Sequence, residues 1–292
     1  MPLPLESVPN VSEGRDPATL AALREAFSAP ARLLDVHADP DHNRSVYTLV
    51  GEPDALVATL LSGIECALEL IDLRGHEGAH PRVGAVDVVP LVPLRAEDEP
   101  RARAAALELA DRVAELGVPV FFYGLLTEDR REPAFFRHGG LDGLEPDRGP
   151  RELHPTAGAV LIGVRRPLIA FNVALRTADV EAARAIARHV RERDGGFPGV
   201  RALGLALPRA GGCQVSMNVT DWEAAPLHEI VAKVTHAASA LGIEVEGSEL
   251  VGLMPAGAAV AAAGAALGLD GLDATKILEL RLLDPGAKSA QD

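Results

Sequence analysis

The chain has 292 residues, of which 48% are hydrophobic and only 3% aromatic, and it carries a formal net charge of −14. This length and hydrophobicity predict a globular protein of one large or two ordinary domains, with a core of Val, Leu, Ala and Ile. The acidic balance argues against nucleic acid as a partner, because neutralising phosphates requires a basic surface.

The first half of the chain alternates between strand and helix patterns. Residues 3–9 have a strand pattern, and Asp16 with Pro17 predicts a helix start, since an N-cap carboxylate and a proline at the first helical position favour initiation. The further predicted elements are strands at 32–37 and 45–50, a helix at 53–73, a strand at 85–94, a helix at 98–116 and a strand at 118–123. Residues 129–158, rich in Gly, Pro and charge, are predicted to form a short helix and a long loop near a domain boundary.

The second half repeats this rhythm. The predicted elements are a strand at 168–175, a helix at 177–193, strands at 200–207 and 214–219, a helix at 226–241, a strand at 243–254 and two more helices. Each half therefore has the order β-α-β-β-α-β with extra helices, which is the split βαβ, ferredoxin-like arrangement. The predicted fold class is α/β (α+β), with two ferredoxin-like-related subdomains, residues 1–165 and 166–292, each a mostly antiparallel sheet with helices on one face.

Cysteine usage and the apolar segments bear on the cellular compartment. Cys66 and Cys213 are far apart in sequence, so a Cys-based zinc site is excluded, and such sparse cysteines fit a reducing cytoplasm. The N-terminus has no positive region followed by a long apolar run, so no signal peptide is predicted. Residues 256–269 are apolar but too short and too rich in Ala and Gly to span a bilayer. The expected location is cytoplasmic, without a membrane partner.

Residues 76–80 have the sequence His-Glu-Gly-Ala-His, a formal match to the zinc-protease motif H-E-x-x-H. That motif requires a helix, which places both imidazoles on one face. Gly78 interrupts the stretch and Pro81 pushes His80 away from helical angles, so neither the helix nor a zinc site is expected. The stretch is then either a glycine-rich loop that only satisfies its own backbone, or a loop that positions a histidine for proton transfer near neutral pH.

Six stretches together resemble one family, the glutamate formimidoyltransferases, or formiminotransferases. They are Val8-Pro9-Asn10 with Ser12-Glu13-Gly14, residues 39–44 (DPDHNR), residues 80–88 (HPRVGAVDV), residues 168–172 (LIAFN), residues 214–218 (QVSMN) and residues 248–255 (SELVGLMP). They fall in the same order as in the family and cover nearly the whole chain. The resemblance concerns the transferase part alone, since a chain of this length is not expected to include the cyclodeaminase domain of animal relatives.

The resemblance implies two α/β subdomains of the ferredoxin-like plan, a homodimer and a folate-binding groove between the subdomains. It also implies the reaction, transfer of a formimidoyl group from N-formimidoyl-L-glutamate to N5 of tetrahydrofolate in histidine degradation. Tetrahydrofolate is then a co-substrate, and no metal is used. His80 matches the family's catalytic histidine and is expected to act as general acid and base, because an imidazole accepts and returns protons near neutral pH.

The other candidate site residues would bind the two substrates. Arg82 and Arg44 are candidates for binding carboxylates, with surface or structural ion pairs as the alternative. Asp39 would orient an imidazole or cap a turn before a strand, and His42 and Asn43 share that ambiguity. The remaining candidates, which would contact polar edges of the pterin or satisfy backbone groups, are Asn10, Asn172 and Asn218.

Two positions depart from the family pattern. His37 stands where relatives often have an acidic residue, and Thr156 stands where a tryptophan often follows the His-Pro of the long loop. These departures leave open a formyltransferase or cyclising enzyme that uses 5-formyltetrahydrofolate and, from another class, a non-catalytic folate-binding paralogue. The presence of His80 favours an enzyme over that paralogue.

Overall fold

A computed structural model describes residues 3–79, 81–137, 139, 141 and 143–283. The chain divides into two compact units. The first contains residues 1–167 with the short segment 207–210, and the second contains residues 168–206 and 211–292. Each unit has its own sheet and its own hydrophobic core. The predicted α+β class, with two mostly antiparallel sheets, is confirmed.

Among the described residues of the first unit, seven strands form one sheet. They are β1 (Leu5–Ser7), β2 (Asn10–Val11), β3 (Arg32–Asp39), β4 (Arg44–Gly51), β5 (Val86–Val92), β6 (Val120–Gly124) and β7 (Val160–Val164). The helices are α1 (Pro17–Ala26), α2 (Pro53–Leu70), α3 (Glu99–Glu115) and α4 (Pro133–Phe136). The strand predicted at 3–9 is divided into β1 and β2 around Pro9, which has no N–H to donate to the sheet.

The strand order of the first sheet is β3-β4-β1/β2-β5-β7-β6. Pairings among β3, β4, β1/β2 and β5 are antiparallel, and this part has the ferredoxin-like order, with β1 and β2 together in the place of one strand. The pairs β5–β7 and β6–β7 are parallel. The predicted antiparallel core is therefore extended at one edge by two parallel strands.

Helices α1, α2 and α3 cover one face of this sheet, and the core between them is built mainly from Leu, Val, Ile and Ala. Phe27 lies so close to α2 that a Cβ added at Gly63 would be 2.0 Å from its ring. The Phe27 ring also packs on Tyr47, with 4.7 Å between the ring centroids. Gly63 thus allows the Phe27 ring to pack closely against α2, as the dense packing of a protein core requires.

The long segment before β7 covers the opposite face of β5, β6 and β7. The ring of Phe136, in α4, lies 5.9 Å from that of Phe121. Leu141 and Leu144 pack against the same small apolar cluster. The predicted short helix and long loop are both present, and these apolar side chains hold the segment on the sheet.

Strand β7 was not predicted from the sequence. All five of its residues are buried, and it lies between two strands with parallel pairing on both sides. A central parallel strand is a short apolar run without alternation, so hydrophobic periodicity does not identify it. Gly163 is required there, because an added Cβ would lie 2.4 Å from the ring of Tyr123.

The second unit has a four-stranded sheet of order β11-β8-β10-β9. The strands are β8 (Ile169–Leu175), β9 (Val200–Leu207), β10 (Gly212–Val219) and β11 (Val245–Val251). The helices are α5 (Val180–Val190), α6 (Leu227–Ala240), α7 (Ala256–Leu267) and α8 (Leu278–Leu283). Since β8 is antiparallel to both of its neighbours, this is the predicted ferredoxin-like arrangement, and every element predicted for this half is present.

Helices α5 and α6 pack on one face of this second sheet through buried side chains such as Ile186 and Ile230. Asp179 caps α5, where its carboxylate accepts hydrogen bonds from two backbone N–H groups. The apolar helix α7 is only 12 residues long. Over the ranges that the structure describes, no helix has the length and hydropathy needed to cross a membrane.

Candidate functional site

The loop between α2 and β5, residues 76–84, contains the His-Glu-Gly-Ala-His stretch. Helix α2 ends at Leu70, a short 3-10 turn covers Leu73–Gly75, and His76 is extended, with φ −89° and ψ 125°. The helix that a zinc-protease motif requires is therefore missing from residues 76–79, as the glycine and proline positions predicted. His80, the predicted catalytic residue, lies outside the described residues.

Hydrogen bonds join this loop to segments on either side of it. The N–H of Ala79 donates to the carbonyl of Asp41 at 3.1 Å. At the other end of the loop, Ser12 Oγ donates to the carbonyl of Gly84 at 2.8 Å, and the Ser12 N–H donates to the carbonyl of Ala85 at 2.7 Å. The loop is thus fixed to the turn between β3 and β4 and to the segment before α1.

Asn43 connects these three segments through its side-chain amide. Its Oδ1 accepts from the N–H of Gly14 at 3.0 Å, and its Nδ2 donates to the carbonyl of Glu77 at 2.9 Å. The residue is buried and has a φ of +49°, which asparagine tolerates better than most residues do. We call the three connected segments, residues 12–14, 39–44 and 76–84, the loop cluster.

Asp39 caps the turn between β3 and β4. Its Oδ1 accepts from the N–H of Asp41 at 2.8 Å and of His42 at 2.9 Å, and its Oδ2 lies 3.3 Å from Nδ1 of His42. The sequence left open whether Asp39 caps a turn or orients an imidazole. It does both, and the imidazole is that of the buried His42. Arg44, the next candidate, begins β4 directly opposite Asp39.

Gly14 and Gly78 allow the segments of the loop cluster to approach one another, and Gly84 allows the cluster to approach the residue before β7. A Cβ added at each would collide with a backbone carbonyl oxygen: that of Asp39 at 2.4 Å from Gly14, that of His42 at 2.3 Å from Gly78, and that of Ala159 at 1.8 Å from Gly84. A backbone carbonyl cannot rotate out of the way as a side chain can, so these glycines are explained by packing.

The Arg82 guanidinium turns back onto its own loop. Nη2 donates to the carbonyl of Gly78 at 3.0 Å, and Nη1 contacts Nδ1 of His76. Burial, and then the charge of Arg82, holds the pKa of His76 below its usual range. Burial also lowers the pKa of Arg82. The residues before and after His80 in the sequence are therefore connected to each other.

Asp87 is a buried charge at the end of the loop. Its Oδ1 accepts from the N–H of Val83 at 2.7 Å, and its Oδ2 pairs with Nη2 of Arg137. Only 2% of the Asp87 side chain and 13% of the Arg137 side chain are exposed. Because removing either partner would leave a buried charge unpaired, this ion pair fixes the loop to the segment that follows α4.

In the second unit, the candidate asparagines lie on the sheet face opposite α5 and α6. Asn172 pairs in register with Ser216 on β10 and with Glu249 on β11. Its Nδ2 donates to Oε2 of Glu249 at 2.9 Å, and the residue is buried. Asn218, two residues after Ser216 on β10, is exposed. The first asparagine thus has a protein partner, while the second presents its amide at the surface.

Asn10 begins β2, where it pairs with Val46 of β4 and Val88 of β5, and its Nδ2 donates to the carbonyl of Val8 at 3.0 Å. Of the predicted ligand residues, five therefore lie in or beside the loop cluster of the first unit: Asn10, Asp39, Asn43, Arg44 and Arg82. The two others lie on the second sheet.

Sequence analysis did not assign site roles to four residues that hold the loop cluster: Ser12, His76, Asp87 and Arg137. Ser12 and Asp87 could have been found, because they belong to the VPNxSEG and HPRxGAxDV stretches. His76 was considered only as a zinc ligand. Arg137 had no signal, because its partner lies 50 residues earlier in the chain.

The loop cluster offers carboxylates, imidazoles, amides and guanidinium groups, which suit proton transfer and carboxylate binding. Within the described part of the chain, no three His, Cys, Asp or Glu side chains converge in a way that could hold a metal ion. Burial raises the pKa of both thiols, Cys66 and Cys213, which disfavours thiolate chemistry at neutral pH.

Two family models match the chain. The formiminotransferase domain, N-terminal subdomain, matches residues 4–165, and the formiminotransferase domain matches residues 170–268. Together they include the loop cluster of the first unit and all of the second sheet except Ile169, the first residue of β8.

Curated relatives extend this similarity over nearly the full length. The glutamate formimidoyltransferase of Streptococcus pyogenes serotype M1 is 37% identical over 96% of this chain and 98% of its own. That of Thermoplasma acidophilum is 37% identical over 95% of this chain and 97% of its own. The formimidoyltransferase-cyclodeaminase of Gallus gallus is 40% identical over 86% of this chain and 50% of its own. The similarity thus spans two of these relatives almost completely and half of the third.

Proposed function

We propose, because this chain belongs to the formiminotransferase family, that it transfers a formimidoyl group from N-formimidoyl-L-glutamate to N5 of tetrahydrofolate. Family membership makes it a group-transfer enzyme that acts with a folate. The observation that carries the proposal is the similarity over almost the whole chain, which includes the loop with His80. We further propose that the reaction belongs to histidine degradation and that the protein acts as a cytoplasmic homodimer.

The proposed chemistry requires one group that both accepts and returns a proton. N5 of the pterin attacks the amidine-like carbon, which forms an N5–C bond and a tetrahedral intermediate, while His80 accepts the proton from N5. The bond between that carbon and the glutamate nitrogen then breaks as His80 delivers the proton to the leaving nitrogen. The products are 5-formimidoyl-tetrahydrofolate and glutamate, and neither step requires a metal.

The contacts of the loop cluster support this role. A proton-transferring group is effective only when it is held close to the reacting atoms, and displacements near 1 Å are costly. On one side of His80, Ala79 donates to the Asp41 carbonyl; on the other, Val83 donates to the Asp87 carboxylate. The loop is thus held at both ends by groups outside it.

The candidate ligand residues have different parts in this proposal. Arg44 and Arg82 carry guanidinium groups, which suit the carboxylates that both substrates contain. The side chains of Asp39 and Asn43 form hydrogen bonds with backbone groups, so we propose that these two residues maintain the conformation of the loop cluster. The residues assigned to polar edges of the pterin are Asn10, Asn172 and Asn218. We also propose a subdomain boundary between residues 165 and 166, which the extents of the two family matches support.

The test is a turnover assay with tetrahydrofolate and N-formimidoyl-L-glutamate in the presence of a chelator. Product is read as methenyl-tetrahydrofolate absorbance after acid treatment. We expect wild-type turnover, and a loss of about 10²- to 10⁴-fold in kcat for His80→Ala, which is the usual contribution of a general acid–base group. His236→Ala is the control, because His236 is exposed on α6, and its kcat should equal that of the wild type.

Each other outcome removes a part of the proposal. No wild-type turnover would contradict the donor, and 5-formyltetrahydrofolate would be the next donor to assay. Folate binding without turnover of either donor would indicate a non-catalytic paralogue. Unchanged kcat in His80→Ala would remove the role of that histidine, and loss of turnover in chelator would contradict the metal-free mechanism.

A further inference from the structure

Arg82 and His76 lie on either side of His80 in the sequence and contact each other. Nη1 of Arg82 contacts Nδ1 of His76 and lies 3.5 Å from the His76 carbonyl oxygen. Nη2 of the same guanidinium donates to the carbonyl of Gly78 at 3.0 Å. The guanidinium therefore closes the loop onto itself, and we call this arrangement the His76–Arg82 clamp.

The clamp determines the protonation state of His76. A guanidinium has five N–H donors and no acceptor, and it stays charged at every pH at which enzymes work. Nδ1 of His76 must therefore accept, which leaves the ring neutral with its proton on Nε2. Nε2, which carries the proton, is buried.

The groups that face His76 favour the neutral ring. Burial is the largest cause of its lowered pKa, and the charge of Arg82 is the next. From the segment before α1, a hydrogen bond with the backbone of Ser12 and the charge of Glu13 raise this pKa, and Arg15 lowers it. Asp87 lies near Arg82 and offsets part of its charge. The net direction is downward, so His76 is neutral at neutral pH.

We propose that His76 is a positioning residue, which as a neutral acceptor holds the Arg82 guanidinium against the loop and so keeps the loop that contains His80 in its working form. This inference rests on the proposed transfer reaction, because it assigns His76 a task in that reaction. His76 acts through Arg82 and needs no contact with a substrate. The loop thus contains two histidines with different roles, one that transfers protons and one that must stay unprotonated.

Protonation of His76 opens the clamp. A proton on Nδ1 removes the acceptor and places two cations in contact. Since the pKa of His76 in the folded loop is lower than its ordinary value, the clamp is complete above about pH 6.5 and is lost as the pH falls through the lowered pKa. The acid side of the pH profile of kcat should therefore include His76 in addition to His80.

Two substitutions at His76 test separately its role as a hydrogen-bond acceptor and the effect of its protonation. His76→Asn puts an amide oxygen close to the place of Nδ1 but does not titrate, whereas His76→Leu provides neither an acceptor nor a charge. At pH 8, His76→Leu should lower kcat by about 10- to 100-fold, as expected for a displaced reacting group, with a smaller change in KM. His76→Asn should keep kcat close to the wild-type value and lose less of it than the wild type at acid pH. His236→Asn, on the exposed face of α6, is the matched control and should follow the wild type throughout.

Two further measurements do not depend on turnover. The ¹⁵N chemical shifts of the His76 ring should show an unprotonated Nδ1 and a protonated Nε2 at pH 8. Amide hydrogen exchange at Ala79, whose N–H donates to the Asp41 carbonyl, should be faster in His76→Leu than in the wild type.

The outcomes separate this inference from the proposed reaction. A protonated Nδ1 at pH 8, wild-type kcat in His76→Leu, or an unchanged acid limb in His76→Asn would each overturn the role of His76. If the wild type did not turn over but the ring shifts and amide exchange were as expected, the clamp would stand and the assigned reaction would be wrong. If His76→Leu did not fold, the pH profile of His76→Asn and the wild-type ring shifts would still decide the question.

Discussion

The two sheets contain the same ferredoxin-like strand order but use their polar side chains in different ways. In the first unit, the side chains of Ser12, Asp39 and Asn43 bond to backbone groups of loops. In the second unit, the candidate residues Asn172 and Asn218 stand on paired strands, and Asn172 bonds to another side chain, that of Glu249. Loop backbone has few partners of its own and needs side chains to satisfy it, whereas strand pairing already satisfies the backbone of a sheet.

This difference indicates which property a substitution changes in each unit. Removing a side chain that satisfies buried backbone leaves a donor or an acceptor without a partner, and the free energy of unfolding falls. Removing a side chain from the face of a paired strand leaves the backbone ladder intact. Variants in the loop cluster should therefore reduce stability, while variants on the second sheet should act on ligand binding.

The largest expected effect is at Gly84, where an added Cβ would lie 1.8 Å from the carbonyl oxygen of Ala159. Because that oxygen belongs to the backbone, the chain itself must shift. We expect Gly84→Ala to lower the free energy of unfolding by about 3 kcal/mol, the upper end of the usual cost of overpacking. The measurement is urea unfolding followed by circular dichroism.

Gly75→Ala is the matched control for this prediction, because nothing lies within 4 Å of a Cβ added there. Its free energy of unfolding should stay within about 0.5 kcal/mol of the wild-type value. If both variants were destabilised equally, the loop cluster would not be closely packed at Gly84, and the contrast between the two units would lose its main support.

A smaller loss of stability is expected when an asparagine is replaced by alanine in each unit. Asn43→Ala leaves the N–H of Gly14 and the carbonyl of Glu77 without their partner, so unfolding should become easier by about 2 kcal/mol. Asn218 is exposed on β10, so Asn218→Ala should change stability by less than about 0.5 kcal/mol. If Asn218 contacts the folate, this second variant should instead raise the KM for tetrahydrofolate. Equal losses of stability in urea unfolding would contradict the comparison.

Most of both sheets could be predicted from the sequence, because strand alternation, helical periodicity and caps are local. The carboxylate of Asp16, for instance, accepts from the N–H of Thr19 at 2.9 Å, as the Asp-Pro pair predicted. The family could be identified from six short stretches, and the similarity to known relatives confirms it. Strand β7 could not be predicted, since a buried parallel strand has no periodic pattern.

The contacts of the loop cluster could not be predicted, because they join residues that are distant in the chain. The sequence indicated that Asn43 was a candidate, but not that its amide would bond to Gly14 and Glu77. It gave no sign that Arg137 would pair with Asp87. Motif stretches therefore identify which residues form a site, while their individual roles depend on packing between segments.

The smallest expected effect is a pH dependence of stability at Glu6, on β1. Burial raises the pKa of its carboxyl above the ordinary value of 4.5, and Arg165 offsets part of this rise. The folded chain therefore binds this proton more tightly than the unfolded chain does, and stability falls as the pH rises through the raised pKa. Glu6→Gln removes this loss. It should be more stable than the wild type at pH 8 and close to it at pH 4, where the carboxyl is mostly protonated in both states.

Glu246 on β11 provides the matched control in the second unit. Its carboxylate is exposed and pairs with an exposed Arg176 at 3.0 Å, and an exposed ion pair contributes little to stability. Glu246→Gln should therefore show no gain in stability at pH 8, measured by the same urea titrations at both pH values. A gain in stability for Glu6→Gln alone would mean that burial destabilises the charged carboxylate on the first sheet more than the one on the edge strand of the second sheet. Equal behaviour of the two variants would mean that the units differ in their loops but not in the environment of the carboxylates on their strands.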